Sequence, residues 1–173
     1  MNKNIKLLLI LEFSVFCIIL AGCVTKTIKM DLDGFLDITW GENVSTAVSI
    51  LSEKEFRMHI DEYGIYANGI FMNEEVWLNL LFYNDRFYIA HISFENKSNL
   101  FEIYNKINDL LIEEYGKPSF ISKNHPRIPE RLLTVWNFYN NCTISISFIP
   151  ELNSMSFTYV NNTIFNEKNV FNP

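Results

Sequence analysis

The chain has 173 residues, with 14 Lys+Arg against 20 Asp+Glu for a net charge of −6, and is 49% hydrophobic and 15% aromatic. An acidic chain with scattered Lys and Arg lacks the clustered basic face that nucleic-acid binding requires. With 6 Gly and 5 Pro beside 15 Phe and 8 Tyr, the composition is that of a packed core and excludes wholesale disorder.

Lys3 and Lys6 form a short positive region ahead of a nearly all-apolar run from Leu7 to Leu20, and the small residues Ala21-Gly22 follow. This is the layout of a secretory signal. A retained transmembrane helix needs roughly 20 apolar residues, and here Glu12 interrupts a shorter run. An ordinary secretory signal that leaves Cys23 free is the other alternative. The tetrapeptide Leu20-Ala21-Gly22-Cys23 resembles the lipobox of bacterial lipoproteins at all four positions. In that chemistry a thiol accepts a diacylglyceryl group as a thioether, and small neighbours enter a peptidase cleft. The resemblance implies cleavage between Gly22 and Cys23, with Cys23 becoming the lipidated first residue. A charge at a helix centre costs about 2.5–3.5 kcal/mol of insertion free energy for Asp, so the apolar heart of the signal is expected at Phe13 to Leu20. Two acyl chains anchor a protein stably without help from its folded surface.

Removing residues 1–22 takes away Lys3, Lys6 and Glu12, leaving a chain one unit more negative than the whole. The remainder, roughly 150 residues, is the size of one ordinary domain. The expected layout is a signal peptide at 1–22, a lipidated tether at 23–34, an α+β domain at 35–160 and a flexible tail at 161–173. Cys17 leaves with the signal and Cys23 is consumed by lipid, so Cys142 stands alone and an internal disulfide is excluded. In a strand-like run Cys142 is expected to act as a small buried hydrophobe.

Asp31-Leu32-Asp33-Gly34 has its glycine at the fourth place, whereas an EF-hand loop needs it at the sixth, so a turn is expected instead. Asn43 is a plausible N-cap for a short helix ending near Lys54, with Val44, Val48 and Leu51 on one side. Residues 56–60 and 65–71 follow as a pair of strands. In the next hairpin Val76, Leu78, Leu80 and Phe82 alternate on one face, and Asn84-Asp85 supplies a turn pair tolerant of positive φ. Tyr88, Ala90, Ile92 and Phe94 resume the alternation.

A longer helix begins after Ser98, with Leu100, Tyr104, Ile107 and Leu111 as its stripe, widened by Phe101 and Leu110, and stops at Tyr115-Gly116-Lys117-Pro118. Residues 119–131 hold Pro126 and Pro129 and are expected to form a loop. Three strands follow: 132–139, then Cys142, Ile144, Ile146 and Phe148 alternating, then Met155, Phe157 and Tyr159 alternating. The expected fold is α+β, with two helices packed on one face of a twisted antiparallel sheet in the order helix–meander–helix–meander.

Ile38-Thr39-Trp40-Gly41 before the first helix, and Tyr115-Gly116-Lys117-Pro118 closing the second, resemble segments of a group of small bacterial lipoproteins. That group includes the SmpA/OmlA (BamE-type) outer-membrane assembly lipoproteins and domains folded like the β-lactamase inhibitory protein. The resemblance covers residues 35–160 as a pattern of elements and implies a binding module. It carries over no binding residues, and this chain has two helix–sheet units where the BamE type has one.

His59, His91 and His125 lie far apart without metal-ligand spacing, and His91 falls on the outer face of its strand. There is no G-x-S-x-G elbow and no glycine-rich phosphate loop. Neighbouring carboxylates such as Glu74-Glu75 and Glu113-Glu114 diverge on their elements. No catalytic residue, metal or cofactor is therefore expected. Trp77, Leu81 and Tyr83 alternate opposite the Val76/Leu78/Leu80/Phe82 face and are the candidate partner-binding surface. The competing explanation is that strands favour aromatics anyway and that tether or tail shields these three. The expected function is that of a lipid-anchored lipoprotein of the bacterial cell envelope, held to a membrane by its diacylglyceryl group, that binds an envelope protein without catalysis. A small-ligand or envelope-polymer binder is the alternative, and a hydrolytic enzyme the last choice.

Overall fold

The computed structural model describes residues 31–94, 98–122 and 131–171. Cys23, the signal segment and most of the expected tether lie outside the described residues, as does His125. Among the described residues no helix is long and apolar enough to cross a membrane.

The described chain opens with a small hairpin, β1 (Gly34–Phe35) and β2 (Ile38–Thr39). Helix α1 (Val44–Glu53) follows, capped as expected by Asn43, whose side-chain oxygen accepts from Thr46 N at 2.9 Å. Four strands run in succession: β3 (Arg57–Ile60), β4 (Gly64–Phe71), β5 (Glu74–Tyr83) and β6 (Arg86–Phe94). Helix α2 (Leu100–Tyr115) leads to β7 (Phe120–Ser122), β8 (Leu132–Asn137), β9 (Cys142–Ile149) and β10 (Ser154–Asn161). A further helix, α3 (Asn162–Phe171), ends the described chain.

One eight-stranded sheet takes the order β3-β4-β5-β6-β10-β9-β8-β7, and every neighbouring pair is antiparallel. It consists of two meanders, joined where β6 pairs with β10. The fold is thus mixed α and β around a large antiparallel sheet. One face carries the core: Ile65 and Ala67, Leu78 and Leu80, Ala90 and Ile92, Phe157, and Ile144 and Ile146 are all fully buried. Ala47 and Leu51 of α1 join this core, as do Ile103, Ile107 and Leu111 of α2. Helices α1 and α2 cover this face with much of the apolar stripe expected of each, but Phe101 and Leu110, expected to widen the stripe of α2, are exposed. Cys142 is buried as expected.

Four expectations need correction. The tail expected to be flexible from 161 is helical over Asn162–Phe171, which makes three α-helices among the described residues, not two. Its Asn161 cap accepts from Thr163 N and Ile164 N at 3.0 and 3.1 Å, a local signal that Asn-rich composition concealed. The segment expected as a loop contains β7, a three-residue edge strand too short to show a period. The tether assigned to 23–34 overlaps the fold: Leu32 is buried, and its carbonyl accepts from Trp40 Nε1 and Asn140 Nδ2. Finally, Tyr88 does not share a face with Ala90, Ile92 and Phe94. The register shifts between Leu81 and Phe82, so that Leu81 pairs with Ile89 but Phe82 with Phe87. This bulge sends Phe87 into the core, stacked on Trp40 with ring centroids 4.9 Å apart. It sends Tyr88 to the other side, against Phe165 of α3.

Tight turns hold the strands in register. Asn84 and Asp85 have φ of 51° and 58°, the double left-handed pair expected there. Met72 and Asn73 do the same between β4 and β5, as do Leu36 and Asp37 between β1 and β2. Gly116 ends α2 with φ of 80°, a value L residues rarely adopt, and its carbonyl accepts from Trp136 Nε1 at 3.0 Å.

Candidate binding face

The alternation that buries Val76, Leu78 and Leu80 turns Trp77, Asn79, Leu81 and Tyr83 to the sheet's second face. Antiparallel register sets their neighbours. Trp77 pairs with Asn68 on β4 and Ser93 on β6, and Ser93 pairs in turn with Ser156 on β10. One row along, Tyr66, Asn79, His91 and Thr158 lie side by side. The next row holds Gly64, Leu81, Ile89 and Val160. Ile70 sits diagonal to Trp77.

The structure divides the three residues expected to form the partner face. Trp77 is 57% exposed, and Ile70 beside it is exposed to a similar extent. Leu81 and Tyr83 are only partly exposed. Helix α3 packs against β5, β6, β9 and β10, with Phe165 and Lys168 against Tyr88 and Glu167 paired with Arg86 at the start of β6. The chain end expected to be a tail therefore shields part of the surface and leaves the Trp77 end open. Ile70 belongs to the open part, Tyr66 and Asn79 are partly buried beside it, and the strand register that places them was not readable from β5 alone.

The polar row has its own geometry. His91 Nδ1 and Thr158 Oγ1 are 2.9 Å apart, and burial holds the imidazole pKa below its usual value. The Asn79 Oδ1 atom is buried and has no hydrogen-bond partner among the described residues. Arg131 Nε donates to Ser147 Oγ at 2.7 Å and covers that buried hydroxyl.

A concavity of about 390 Å³ lies beside the β1–β2 hairpin, lined by Asp33, Asp37, Lys54, Glu114 and Tyr115. Lys54 Nζ donates to Asp37 Oδ2 at 2.7 Å. Burial first, and then Glu114, pushes the Tyr115 phenol far above its usual pKa. Burial pushes the nearby Cys142 thiol up to about 11, with Asp33 and Asp31 adding to the shift. A thiol so held is protonated and a poor nucleophile at neutral pH. Among the described residues no group of three or more His, Cys, Asp or Glu could hold a metal ion. His59 lies exposed on the edge strand β3, away from His91. No protein-family model, curated protein or solved structure matches the chain.

Proposed function

We propose that this chain is a non-catalytic binding module of the bacterial cell envelope, lipid-anchored through Cys23, and that it engages a protein partner with the second face of its sheet. The observation that carries the reading is the exposed pair Trp77 and Ile70 on a rigid strand scaffold, outside the packed core. Exposed tryptophan costs solvation and is enriched where proteins meet. The eight-stranded sheet fixes its position through paired strands on both sides of β5. The lipobox supplies the address, and the acyl chains leave the sheet face free for a partner.

The test is a photo-crosslinking amino acid placed at Trp77 in intact cells, with Glu102 on the exposed side of α2 as control. A single adduct from position 77, absent from 102 and abolished by Ile70→Asp, is expected. Equal labelling from both positions, or none from either, would remove the protein-binding reading.

A second reading, that the face binds a small ligand or an envelope polymer, is favoured by one observation. Asn79, whose buried Oδ1 has no hydrogen-bond partner among the described residues, forms with His91 and Thr158 a polar row next to the Trp77 row. An aromatic platform flanked by amide and hydroxyl groups suits a hydroxylated ligand. Co-sedimentation with purified cell-wall polymer, lost in Trp77→Ala, would favour this reading over the first.

A further inference from the structure

Helix α3 differs from the other two helices in what holds it. Its sequence, NTIFNEKNVF, is rich in Asn and β-branched residues, which have low helix propensity. Ten such residues do not form a helix alone, since even Ala-rich helices of that length are marginal in water. Helicity here therefore depends on docking. The first turn of α3 is tied to β9 and the turn before it by Asn162 N to Asn141 O at 2.9 Å, Asn162 Nδ2 to Thr143 Oγ1 at 2.8 Å and Asn141 Nδ2 to Thr163 Oγ1 at 3.1 Å. Beyond that turn Ile164 is the one buried anchor among its described side chains. Ile164 is 7% exposed, but Phe165, whose ring lies 6.4 Å from that of Tyr88, remains 37% exposed. Glu167 pairs with Arg86, and each side chain is more than a third exposed, the kind of pair that contributes little. Lys168 Nζ donates to the Tyr88 hydroxyl at 2.9 Å and lies 5.4 Å from its ring centroid. By contrast α2 buries six side chains. Neither Ile164 nor Tyr88 belongs to the main core.

We propose that α3 is a displaceable cover, and that its seat on β5, β6, β9 and β10 also accepts an amphipathic helix from a protein partner. The occupant's chemistry is set by α3 itself. It carries two adjacent apolar anchors, as at Ile164 and Phe165, then an acid for Arg86 and a cation for the Tyr88 ring. The seat is continuous with the exposed Trp77 along β5, so displacement joins both into one surface. This is helix-in-groove recognition with an intramolecular competitor. The proposal rests on the second sheet face being the binding surface.

The test uses the full chain and a labelled peptide of residues 161–171 as the probe helix. In hydrogen exchange, amides of residues 164–169 are expected to exchange on the order of 100-fold faster than those of β5, β6 and β10, through opening of α3 alone. In Ile164→Asp the strand amides keep their protection, and the peptide binds at least on the order of tenfold more tightly than to the parent chain. Arg86→Glu then weakens peptide binding, and a peptide with Glu167→Arg restores it. Equal protection of α3 and the sheet would overturn the proposal. So would a peptide that fails to bind folded Ile164→Asp, or global unfolding of that variant. The peptide assay involves no cellular partner, so its outcome is independent of the crosslinking from Trp77.

Discussion

Phe87 and Tyr88 are consecutive along β6 and fully buried, and their rings lie on opposite faces of the sheet as strand alternation requires. The bulge at Leu81/Phe82 shifts that alternation by one residue relative to Ala90, Ile92 and Phe94, so that Phe87 and not Tyr88 joins the core, and it gives the two side chains different work. Phe87 closes the main core against Trp40 and Phe82, whereas Tyr88 forms the floor beneath α3. Phe87→Ala is expected to cost about 3–5 kcal/mol of global stability. Tyr88→Phe, which removes only the bond from Lys168, is expected to cost about 1 kcal/mol. Urea unfolding of both variants measures the difference.

Thr134, the one buried threonine among the described residues, faces the core and shares a hydrogen bond of 2.8 Å with Tyr104 of α2. Tyr104→Phe strands that hydroxyl and is expected to destabilise the fold by about 1–3 kcal/mol. Adding Thr134→Val removes the stranded group, so the double variant is expected to recover most of the loss. A double-mutant cycle by thermal or urea unfolding checks the coupling.

Alkaline stability follows from Cys142. Its thiol titrates near 9.0 when free and is pushed up to about 11 in the fold, chiefly by burial. Between those values the folded chain binds more protons than the unfolded one, so stability falls as pH rises through this window. Tyr115 and Tyr159 are raised above their usual 10.0 and steepen the fall at higher pH. Cys142→Ala is expected to flatten the stability profile between about pH 9 and 10. The native thiol is also expected to resist a disulfide reagent at pH 8 until the chain is unfolded.

Trp77 and Phe87 lie on neighbouring strands but at opposite ends of the exposure scale. Trp77→Ala is expected to change unfolding free energy by no more than about 0.5 kcal/mol. The same substitution is expected to abolish ligand or partner capture through that face. Parallel measurement of urea midpoint and binding separates the two effects. A large loss of stability would make Trp77 a structural residue.

Much of the fold was legible in the sequence because most of its strands are half-buried and alternate. Val76, Leu78 and Leu80, or Ile144, Ile146 and Phe148, announce their face with a period of two. Asn43, Gly116 and the Asn84-Asp85 pair announce where elements start and stop. What escaped has a physical reason in each case. A bulge is a one-residue register change that alternation cannot show, so alternation alone puts Tyr88 on the wrong face. Leu36 adopts positive φ in a turn without Gly or Asn, and Met72 does so where a Gly or Asn is usual, with only Asn73 after it to mark the turn. Helix α3 has poor intrinsic propensity and is selected by docking on Tyr88. Of the candidate face, Trp77 was legible as an outward aromatic. Its neighbours Ile70, Tyr66 and Asn79 depended on strand pairings that no local pattern specifies.

The most direct test of an anchored module is metabolic labelling of cells with a clickable fatty acid, comparing the parent chain with Cys23→Ser. The account predicts that the parent chain incorporates the label and partitions into membranes, while Cys23→Ser does neither. Label retained in Cys23→Ser, or a parent chain recovered unacylated and freely diffusing, would contradict it.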